Sequence, residues 1–464
     1  MSATSQGKSV GIIGGGLAGL AAGCALADAG MKVTLFERRP YVGGRASSYE
    51  HPGTGEVVDN CQHVLFGCCT NLIDFYKKLG VADKIGWSSN INFIEPGGRL
   101  TVFAPSKLPA PLHNVLAFIR SPLFSLGDKL AIARGLTAML RGLPEDSSQD
   151  FLTWLREQKQ TPQAIKRFWE PVLISALTED LDRISVRYAT KVFRELFLFS
   201  AEGGKMGVPT IPLSDLYAAA IDYIRKRDGE VLLRTVVTGF NPAADGVTLT
   251  TASGETNFDY AVVAAPFQTV AGILPTDTVG ENLKAKLQHF EPSPITGIHL
   301  WFDREVTPLP HAALMDRTIQ WMYQKSKLQE NRQGPGSYME LVVSASKSLV
   351  PKSREEVLEI ALRELAEFFP AVKDATVTKS AVVKEVYAAY AILPGLDEFR
   401  PEAATAWPRV FLAGDWTATE WPATMEGAVR SGYLSADAIT AAIGQRQEFI
   451  VADLPKAGLM KLLG

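Results

Sequence analysis

Three glycines near the start of the chain have the spacing of a loop that binds the pyrophosphate of a dinucleotide. Gly14, Gly16 and Gly19 form the pattern G-x-G-x-x-G directly after the apolar run 10–13. The first glycine permits a tight turn from strand to helix, the second lets a pyrophosphate approach the backbone, and the third allows helix and strand to pack closely. The N-terminus of the helix then faces the phosphates. These residues predict a dinucleotide-binding site.

An acidic residue follows in the position that such a site uses to bind ribose. A second apolar run, residues 32–36, ends in Glu37, and Arg38 comes next. A carboxylate at this position accepts hydrogen bonds from a ribose hydroxyl and repels a 2′-phosphate. The order of strand, helix, strand and acid is more specific than the glycine spacing alone. Glu37 and Arg38 are therefore candidate cofactor residues.

The run Gly43-Gly44-Arg45 indicates which dinucleotide is bound. It resembles the extended motif of the superfamily of FAD-containing amine oxidases and phytoene desaturases. In that superfamily the two glycines and the arginine return to the phosphates of the flavin nucleotide. The alternative is an ordinary Gly-Gly turn beside a solvated arginine. The resemblance implies that the cofactor is FAD.

A second candidate flavin segment lies more than 350 residues further along the chain. An apolar strand is predicted to end in Gly414 and Asp415, and a helix to begin near Met425 and Glu426. An acid at a strand end accepts hydrogen bonds from ribityl hydroxyls. A helix N-terminus offers N–H groups and positive potential to the N1–O2 edge of a reduced flavin. These four residues are candidate FAD contacts, together with Val237 in another predicted strand.

The elements that must position these residues predict an α/β fold with two domains. A Rossmann-like FAD-binding domain with a parallel sheet is assigned to residues 1–90, 205–290 and 385–445. A substrate-binding domain of mixed antiparallel sheet and helices is assigned to residues 91–204 and 291–384, and residues 446–464 form a C-terminal tail. At 464 residues the chain is long enough for both cores.

Composition excludes several classes of function. Lys plus Arg (47) nearly balance Asp plus Glu (50), so no basic surface charge favours nucleic acid. The four cysteines show no spacing typical of a metal site, and we expect reduced thiols and no bound metal. No apolar run is long enough to span a bilayer. We expect a cytoplasmic protein, peripheral at the inner face of the cytoplasmic membrane.

Residues 104–143 are the candidate for that membrane contact. Apolar residues and prolines alternate there with five basic residues, and Asp128 is the single acid. Such a composition suits an interfacial surface whose cations meet lipid headgroups. The alternative is a helical subdomain with a basic solvent face. The C-terminal tail is either a short amphipathic anchor or a frayed end.

Residues 150–200 are predicted to be helical and are rich in aromatic side chains. Phe168 and Trp169 stand near the centre of this stretch and are candidate substrate-binding residues. Aromatic faces line apolar cavities and stabilise a nearby cation. Simple core packing is the alternative for each of them.

A finer resemblance separates amines from isoprenoids as substrates. Residues 414–417 and 422–429 look like those of carotenoid-type desaturases, and Thr424 stands where amine oxidases typically carry a cage tyrosine. Together with the C-terminal block, residues 59–67 (DNCQHVLFG) resemble the hydroxysqualene dehydroxylases, the squalene-associated FAD-dependent desaturases of bacterial hopanoid biosynthesis. Cys61 departs from the glycine usual in that family.

This resemblance implies the reductive dehydroxylation of hydroxysqualene to squalene, with hydride delivered by reduced flavin. The segment after Asp59 then passes near the flavin ring, which makes His63 a candidate general acid and Gln62 a candidate for orienting the hydroxyl. A purely structural histidine is the alternative. Arg400 is a candidate for facing the flavin entry, and a solvated surface arginine is the alternative. Because the chain has a single Rossmann fingerprint, electrons are expected from an external donor or reductase.

Two other functions remain open. The first is an FAD-dependent carotenoid desaturase of the phytoene or zeta-carotene type, which shares every flavin motif and would abstract hydride instead of delivering it. The second is a non-catalytic flavoprotein that channels isoprenoids.

Overall fold

The computed structural model describes residues 7–146, 148–330 and 336–463. Within these ranges the strands are β1 (Ser9–Ile13), β2 (Lys32–Phe36), β3 (Ser48–Glu50), β4 (Val57–Asp59), β5 (Leu65–Phe66), β6 (Ile85–Ser88), β7 (Ile91–Ile94), β8 (Leu100–Phe103), β9 (Met206–Pro209), β10 (Glu230–Leu232), β11 (Val237–Pro242), β12 (Val247–Thr251), β13 (Gly254–Phe258), β14 (Tyr260–Val263), β15 (Pro292–Phe302), β16 (His311–Leu314), β17 (Trp321–Gln324), β18 (Ser337–Ser344), β19 (Val377–Tyr390) and β20 (Val410–Leu412).

The helices in the same ranges are α1 (Leu17–Asp28), α2 (Thr70–Leu79), α3 (Val115–Arg120), α4 (Leu126–Met139), α5 (Phe151–Glu157), α6 (Pro162–Ala164), α7 (Glu170–Leu177), α8 (Val186–Phe193), α9 (Leu213–Arg225), α10 (Phe267–Val270), α11 (Thr278–Leu287), α12 (Lys325–Leu328), α13 (Arg354–Phe368) and α14 (Met425–Ala442). Two π-helical segments extend them. Ile165–Trp169 joins α6 to α7, and Arg194–Leu198 continues α8.

A parallel sheet in the order β10-β2-β1-β14-β20 forms the centre of the nucleotide-binding half. Its strands are short apolar runs buried on both faces, as parallel strands covered by helices must be. At their carboxyl ends Ile13 lies opposite both Phe36 and Val263. The strand order changes direction at β1, so a crevice opens there beyond the carboxyl ends. The predicted α/β fold with a Rossmann-like parallel sheet is confirmed.

The second half is built on a seven-stranded sheet in the order β19-β15-β18-β17-β16-β7-β8. Its pairs are antiparallel except for β16 and β7, which run parallel. Helix α13 covers one face, and its first turn is held by a capping box in which Ser353 and Glu356 bond each other's backbone N–H. This is the predicted mixed, largely antiparallel sheet.

Helices α3–α8 form a third layer beside that sheet. Their core is aromatic: Trp169 packs edge-on against both Phe151 and Phe193. The predicted helical character of residues 150–200 is confirmed, while the two π-helical segments were not predicted. The four cysteines form no disulfide.

The assignment of the two domains to residue ranges stays a prediction. Its boundary between residues 384 and 385 falls inside β19, which pairs continuously with β15 on both sides of that point. No helix within the described residues has both the length and the apolar character needed to cross a bilayer.

Candidate active site

A cavity of about 900 Å³ extends from the glycine loop after β1 to the aromatic helices. The parallel sheet contributes its carboxyl-terminal loops, the seven-stranded sheet contributes side chains such as Tyr323 and Val342, and α3 to α8 contribute mostly apolar side chains. The cavity therefore joins the predicted nucleotide site to the predicted substrate region, as a flavin enzyme requires.

Two of the three fingerprint glycines have the geometry that their predicted roles require, and the approach of a pyrophosphate to Gly16 stays a prediction. Gly14 has a φ of +111°, the conformation that a tight turn after β1 needs. A Cβ on Gly19 would lie 1.9 Å from the Gly14 carbonyl oxygen, so only glycine lets α1 approach β1 this closely. Gly14 and Gly16 line the cavity, whereas Gly19 is absent from the described residues that line it. Gly19 thus serves helix packing.

The Gly43-Gly44-Arg45 run crosses directly over this loop. The Gly43 N–H donates to the Gly15 carbonyl at 2.8 Å, and a Cβ on Gly44 would lie 3.0 Å from the Gly16 Cα. Both residues have positive φ. The two glycine segments form one cradle of backbone atoms, with space that side chains would fill.

Glu37 is buried at the end of β2 and faces the same cradle. Its carboxylate accepts hydrogen bonds from the Gly15 N–H at 2.7 Å and the Arg39 N–H at 2.8 Å. These bonds hold the carboxylate beside the cavity, where its remaining acceptor capacity suits a ribose hydroxyl. Arg38 and Val237 also line the cavity. Their contacts with the cofactor stay predictions.

Arg45 and Asp415 lie 370 positions apart and form an ion pair in the cavity wall. The Arg45 Nη2 lies 2.6 Å from Asp415 Oδ1, and Arg45 also donates to the Ala388 carbonyl at 3.3 Å. Burial lowers the pKa of Arg45, but the charge and the hydrogen bond of Asp415, together with the charges of Tyr390 and Glu385, raise that pKa overall. The pair links the two candidate flavin segments and orients Asp415 at the strand end.

Helix α14 directs its N-terminus at the cavity. The Thr424 hydroxyl accepts from the Gly427 N–H at 3.1 Å, so this residue caps the helix where a cage tyrosine would stand in an amine oxidase. Met425 lines the cavity as predicted. The unpaired N–H groups of the first turn make a suitable site for a flavin's anionic edge.

The Glu426 carboxylate does not have the predicted role. It is fully buried and accepts from the Asn71 N–H at 3.2 Å, the Leu72 N–H at 2.8 Å and Arg430 Nε at 2.7 Å. An acid at the first turn of α2 stabilises that helix end. Glu426 borders the cavity, but its carboxylate holds α2 against α14.

Arg400 is not a solvated surface residue. Its guanidinium is buried, and Nη2 donates to the carbonyls of Asp415, Thr417 and Trp421 at 3.0, 2.6 and 2.8 Å. An arginine fork satisfies several carbonyls of an irregular loop at once. Arg400 therefore shapes the flavin loop after β20 from inside the protein.

His63 and Gln62 both line the cavity, but their polar atoms have partners in the protein. His63 Nδ1 donates to the Cys61 carbonyl at 2.8 Å, and Gln62 Nε2 donates to the His63 carbonyl at 2.8 Å. Burial lowers the pKa of His63, although the Cys61 carbonyl and Asp59 oppose this effect. With Nδ1 bound to the Cys61 carbonyl, Nε2 is the ring nitrogen left to exchange a proton with a substrate, and the role of His63 as general acid stays a prediction.

Behind this loop lies a buried charge cluster that was not predicted. Lys325, 1% exposed, donates to Asp59 Oδ2 at 2.6 Å and Gln62 Oε1 at 2.8 Å, and lies 3.3 Å from Glu340. Asp59 also accepts from Ser48. Through Asp59 and Gln62 the cluster holds this loop in place. No local pattern marks Lys325, because its partners come from distant strands.

The two aromatic candidates differ. Phe168 lines the cavity, whereas Trp169 is absent from the described residues that do so and is fully buried. The Trp169 indole packs at 88° behind Phe168 and donates to Gln160 Oε1 at 2.8 Å. The prediction of substrate contact by Trp169 is therefore wrong. Further cavity residues that were not predicted include Lys191, Glu195 and Trp421.

The donors and acceptors of the site fit FAD. A backbone cradle and an acid after β2 suit the adenosine diphosphate half, while Asp415 and the α14 N-terminus suit the ribityl chain and flavin ring. Among the described residues, no group of three or more His, Cys, Asp or Glu side chains could hold a metal ion.

Known proteins agree with this assignment. The family model described as flavin containing amine oxidoreductase matches residues 17–440. The chain is 29% identical to a 15-cis-phytoene desaturase of Synechococcus elongatus, over 93% of this chain and 96% of the relative. It is 26% identical to a zeta-carotene desaturase of Synechocystis sp., over 96% and 99% of the two chains.

Solved structures show the same fold at low identity. Putrescine oxidase bound to putrescine has a TM-score of 0.71 at 17% identity and covers 94% of this chain and 99% of its own. Cyclohexylamine oxidase from Brevibacterium oxydans has a TM-score of 0.70 at 18% identity, with 94% and 100% covered. With the family model matched over most of its length, this chain belongs to the flavin containing amine oxidoreductase family and is an FAD-dependent oxidoreductase.

Proposed function

We propose that this chain transfers hydride between FAD and a long isoprenoid, dehydrogenating a polyene of the phytoene or zeta-carotene kind. The observation that carries the proposal is the mainly apolar cavity joined to the nucleotide cradle, with Thr424 in place of a cage aromatic. The curated relatives named as phytoene and zeta-carotene desaturases support the same substrate class. An apolar cavity of this size suits a long hydrocarbon chain.

The residues of the site have separate tasks in such a reaction. When bound, FAD supplies a two-electron centre that accepts hydride or, when reduced, donates it. Backbone N–H groups of the glycine cradle hold its phosphates, Glu37 its ribose and Asp415 its ribityl chain. Phe168 and the other aromatic side chains shape the hydrocarbon path and exclude water from a cationic carbon.

Reductive dehydroxylation of hydroxysqualene is the second candidate. Residues 59–67, which carry the resemblance to hydroxysqualene dehydroxylases, include Gln62 and His63 in the cavity wall. A hydroxyl leaves as water only when an acidic group supplies a proton. His63 and Glu195 both lie on the cavity. This reaction also requires an external two-electron donor.

Anaerobic assays with purified holoenzyme separate these functions. We expect oxidised enzyme with an electron acceptor to convert phytoene or zeta-carotene to a more conjugated product, followed by its absorbance. Squalene formed by chemically reduced enzyme from hydroxysqualene, without desaturation of either carotene, would replace the first candidate by the second. Tight binding of an isoprenoid without turnover in either direction would support a channelling flavoprotein.

We further propose that the substrate arrives from an anionic membrane surface at α3 and α4. Ile119, Leu126 and Leu130 are 59%, 74% and 61% exposed there, beside the exposed cations Arg120 and Arg134. Apolar side chains ringed by cations fit the interface of an anionic bilayer.

The same segment reaches the cavity and the end of the described chain. Val115 and Phe118 line the cavity, so α3 connects the exposed apolar surface to the cavity wall. The Leu459 N–H donates to the Ala110 carbonyl at 2.8 Å, which adds the helical turn Gly458–Leu463 to this surface. Leu462 in that turn is 82% exposed.

Vesicle sedimentation tests the membrane proposal. We expect binding to phosphatidylglycerol vesicles that weakens at least tenfold in Leu126→Ser/Leu130→Ser, because each buried leucine contributes about 1.5–3 kcal/mol. Trp87→Ser, an exposed apolar residue of β6, is the matched control. Equal binding of all three proteins, or equal binding to phosphatidylcholine vesicles, would contradict the proposal.

A further inference from the structure

Glu195 is an acid on the cavity wall. It lies in the π-helical segment Arg194–Leu198 that continues α8, and it is half-buried. Within the described residues its carboxylate has no hydrogen bond or ion pair. The extra residue of a π-helical turn often serves to aim a side chain at a functional site. The segment also directs Phe197 and Leu198 at the cavity.

The surroundings of Glu195 favour its neutral form. Burial raises the pKa of its carboxyl, Lys191 opposes this effect and Asp453 adds to it. The charged and titratable groups that act on Glu195 from the packed elements are Lys191 and Arg194 of its own helix, Arg430 of α14, Asp453 of the C-terminal segment and Cys68 before α2.

The nearest cations have other partners. Lys191 Nζ lies over the Trp421 ring, 5.0 Å from its centroid, and Arg430 lies over the same ring at 4.9 Å. Arg430 also binds Glu426 and Asp453. Within the described residues, neither cation forms an ion pair with Glu195.

The other titratable candidates in the cavity are less free to exchange a proton. The His63 Nδ1–H is bound to the Cys61 carbonyl, and Gln62 is bound to Lys325 and the His63 carbonyl. Asp415 is paired with Arg45, and Glu426 holds α2. Glu195 combines an ionisable group, access to the cavity and the absence of a described partner.

We infer that Glu195 is the group that exchanges a proton with the isoprenoid substrate, an inference that rests on the proposed function. In desaturation one C–H bond is broken as hydride, whose electron pair bound FAD would accept. The neighbouring C–H bond gives its proton to the Glu195 carboxylate, and its electron pair becomes the new C=C bond. With an alcohol substrate the same group, protonated, gives its proton to the hydroxyl as the C–O bond breaks and water leaves; the carbon would then gain hydride from bound FAD reduced by an external two-electron donor.

Glu195→Gln tests this role, because it keeps the shape of the side chain and removes its proton. We expect turnover to fall at least about 100-fold, the contribution of a general acid or base. FAD content and thermal midpoint should match the wild type. Glu195→Asp should retain a reduced rate with the wild-type pH dependence. Glu157→Gln, at an exposed acid of α5, is the matched control.

The pH profile gives a readout that a structural role would not change. A carboxylate that accepts a proton makes desaturation rise with pH through the raised pKa of Glu195, whereas a carboxylic acid that donates makes dehydroxylation fall. In Glu195→Gln the rate should no longer change with pH in this range. Infrared difference spectra give a readout independent of turnover: a carboxylic acid band that titrates with pH should be absent from Glu195→Gln and present in Glu157→Gln.

The failures of the two proposals are distinguishable. An active wild type with an equally active Glu195→Gln, or an unchanged infrared band in that variant, overturns the role of Glu195 and leaves the proposed function standing. A wild type that turns over neither carotenes nor hydroxysqualene overturns the proposed function and this inference together.

Discussion

Residues 14–45 make their part of the site mainly with backbone atoms, whereas the wall around His63, Phe168 and Glu195 is made of side chains from separate elements. In the first region glycines create the space and N–H groups supply the polarity. In the second region the surface is mainly apolar and includes a few polar side chains. The protonation and the orientation of these side chains depend on buried partners. Cofactor binding therefore depends on the spacing of residues that are close in the chain, whereas substrate chemistry depends on contacts between distant segments.

Substitutions in the two regions are expected to have different effects. A backbone cradle is sensitive to any added Cβ. A side-chain wall tolerates changes in the lining but not in the residues packed or charged behind it. Four experiments test this difference, in order of decreasing effect.

The largest effect is expected for Lys325→Met, behind the cavity wall. The change leaves Asp59 and Glu340 buried without their cation, which costs about 3–5 kcal/mol of unfolding free energy. Chemical denaturation measures the loss. Combining Lys325→Met with Asp59→Asn and Glu340→Gln should recover most of it, and a triple variant as unstable as the single one would show that shape alone matters.

Next come the two adjacent aromatic residues. Trp169→Ala should lower the unfolding free energy by about 3 kcal/mol, because it empties a fully buried site. Phe168→Ala should cost less stability and instead raise the KM for the isoprenoid, because its ring lines the cavity. Thermal unfolding and steady-state kinetics on both variants check this. Equal loss of stability with unchanged KM would contradict the distinction.

A smaller loss is expected for Gly19→Ala in the nucleotide loop. The new Cβ would meet the Gly14 carbonyl oxygen at 1.9 Å, so α1 must shift, at a cost of about 2 kcal/mol and of bound FAD. Flavin absorbance per protein and the thermal midpoint measure both effects. Gly239→Ala in β11 is the matched control, since no atom lies within 4 Å of its Cβ position. Full flavin content in Gly19→Ala would rule out the packing role.

The smallest effect is the acid dependence that Asp59 gives to stability. Burial raises the pKa of Asp59, but Lys325 and the hydrogen bonds to the carboxylate outweigh it and lower that pKa overall. Its stabilisation is therefore complete above the unfolded-state pKa, about 4, and is lost as pH falls through the folded-state pKa. Denaturant titrations below pH 5 should show a steeper loss in the wild type than in Asp59→Asn. An equal loss of stability with falling pH in the two proteins would contradict this role of Asp59.

Much of the nucleotide half could be predicted because its contacts are close in the chain. Strand β2 has the predicted bounds, and Gly14 and Gly19 have the conformation and the close packing that their predicted roles require. Arg400 shows the limit: an arginine among polar residues reads as solvated, yet three carbonyls of the loop after β20 surround it. Glu426 has a correctly predicted helix start but a partner 354 positions away.

The α/β fold, the dinucleotide site and, through two flavin motifs, FAD could all be predicted from the amino-acid sequence. Those features depend on backbone geometry, which glycine spacing and apolar periodicity specify over a few dozen residues. Three features became visible only in the folded chain. Phe168 faces the cavity while Trp169 lies behind it, and Lys325 holds the loop of His63. Glu195 lies on the cavity wall, and its carboxylate has no partner among the described residues. The physical reason is that burial and charge pairing arise between segments hundreds of residues apart, and no local pattern encodes them.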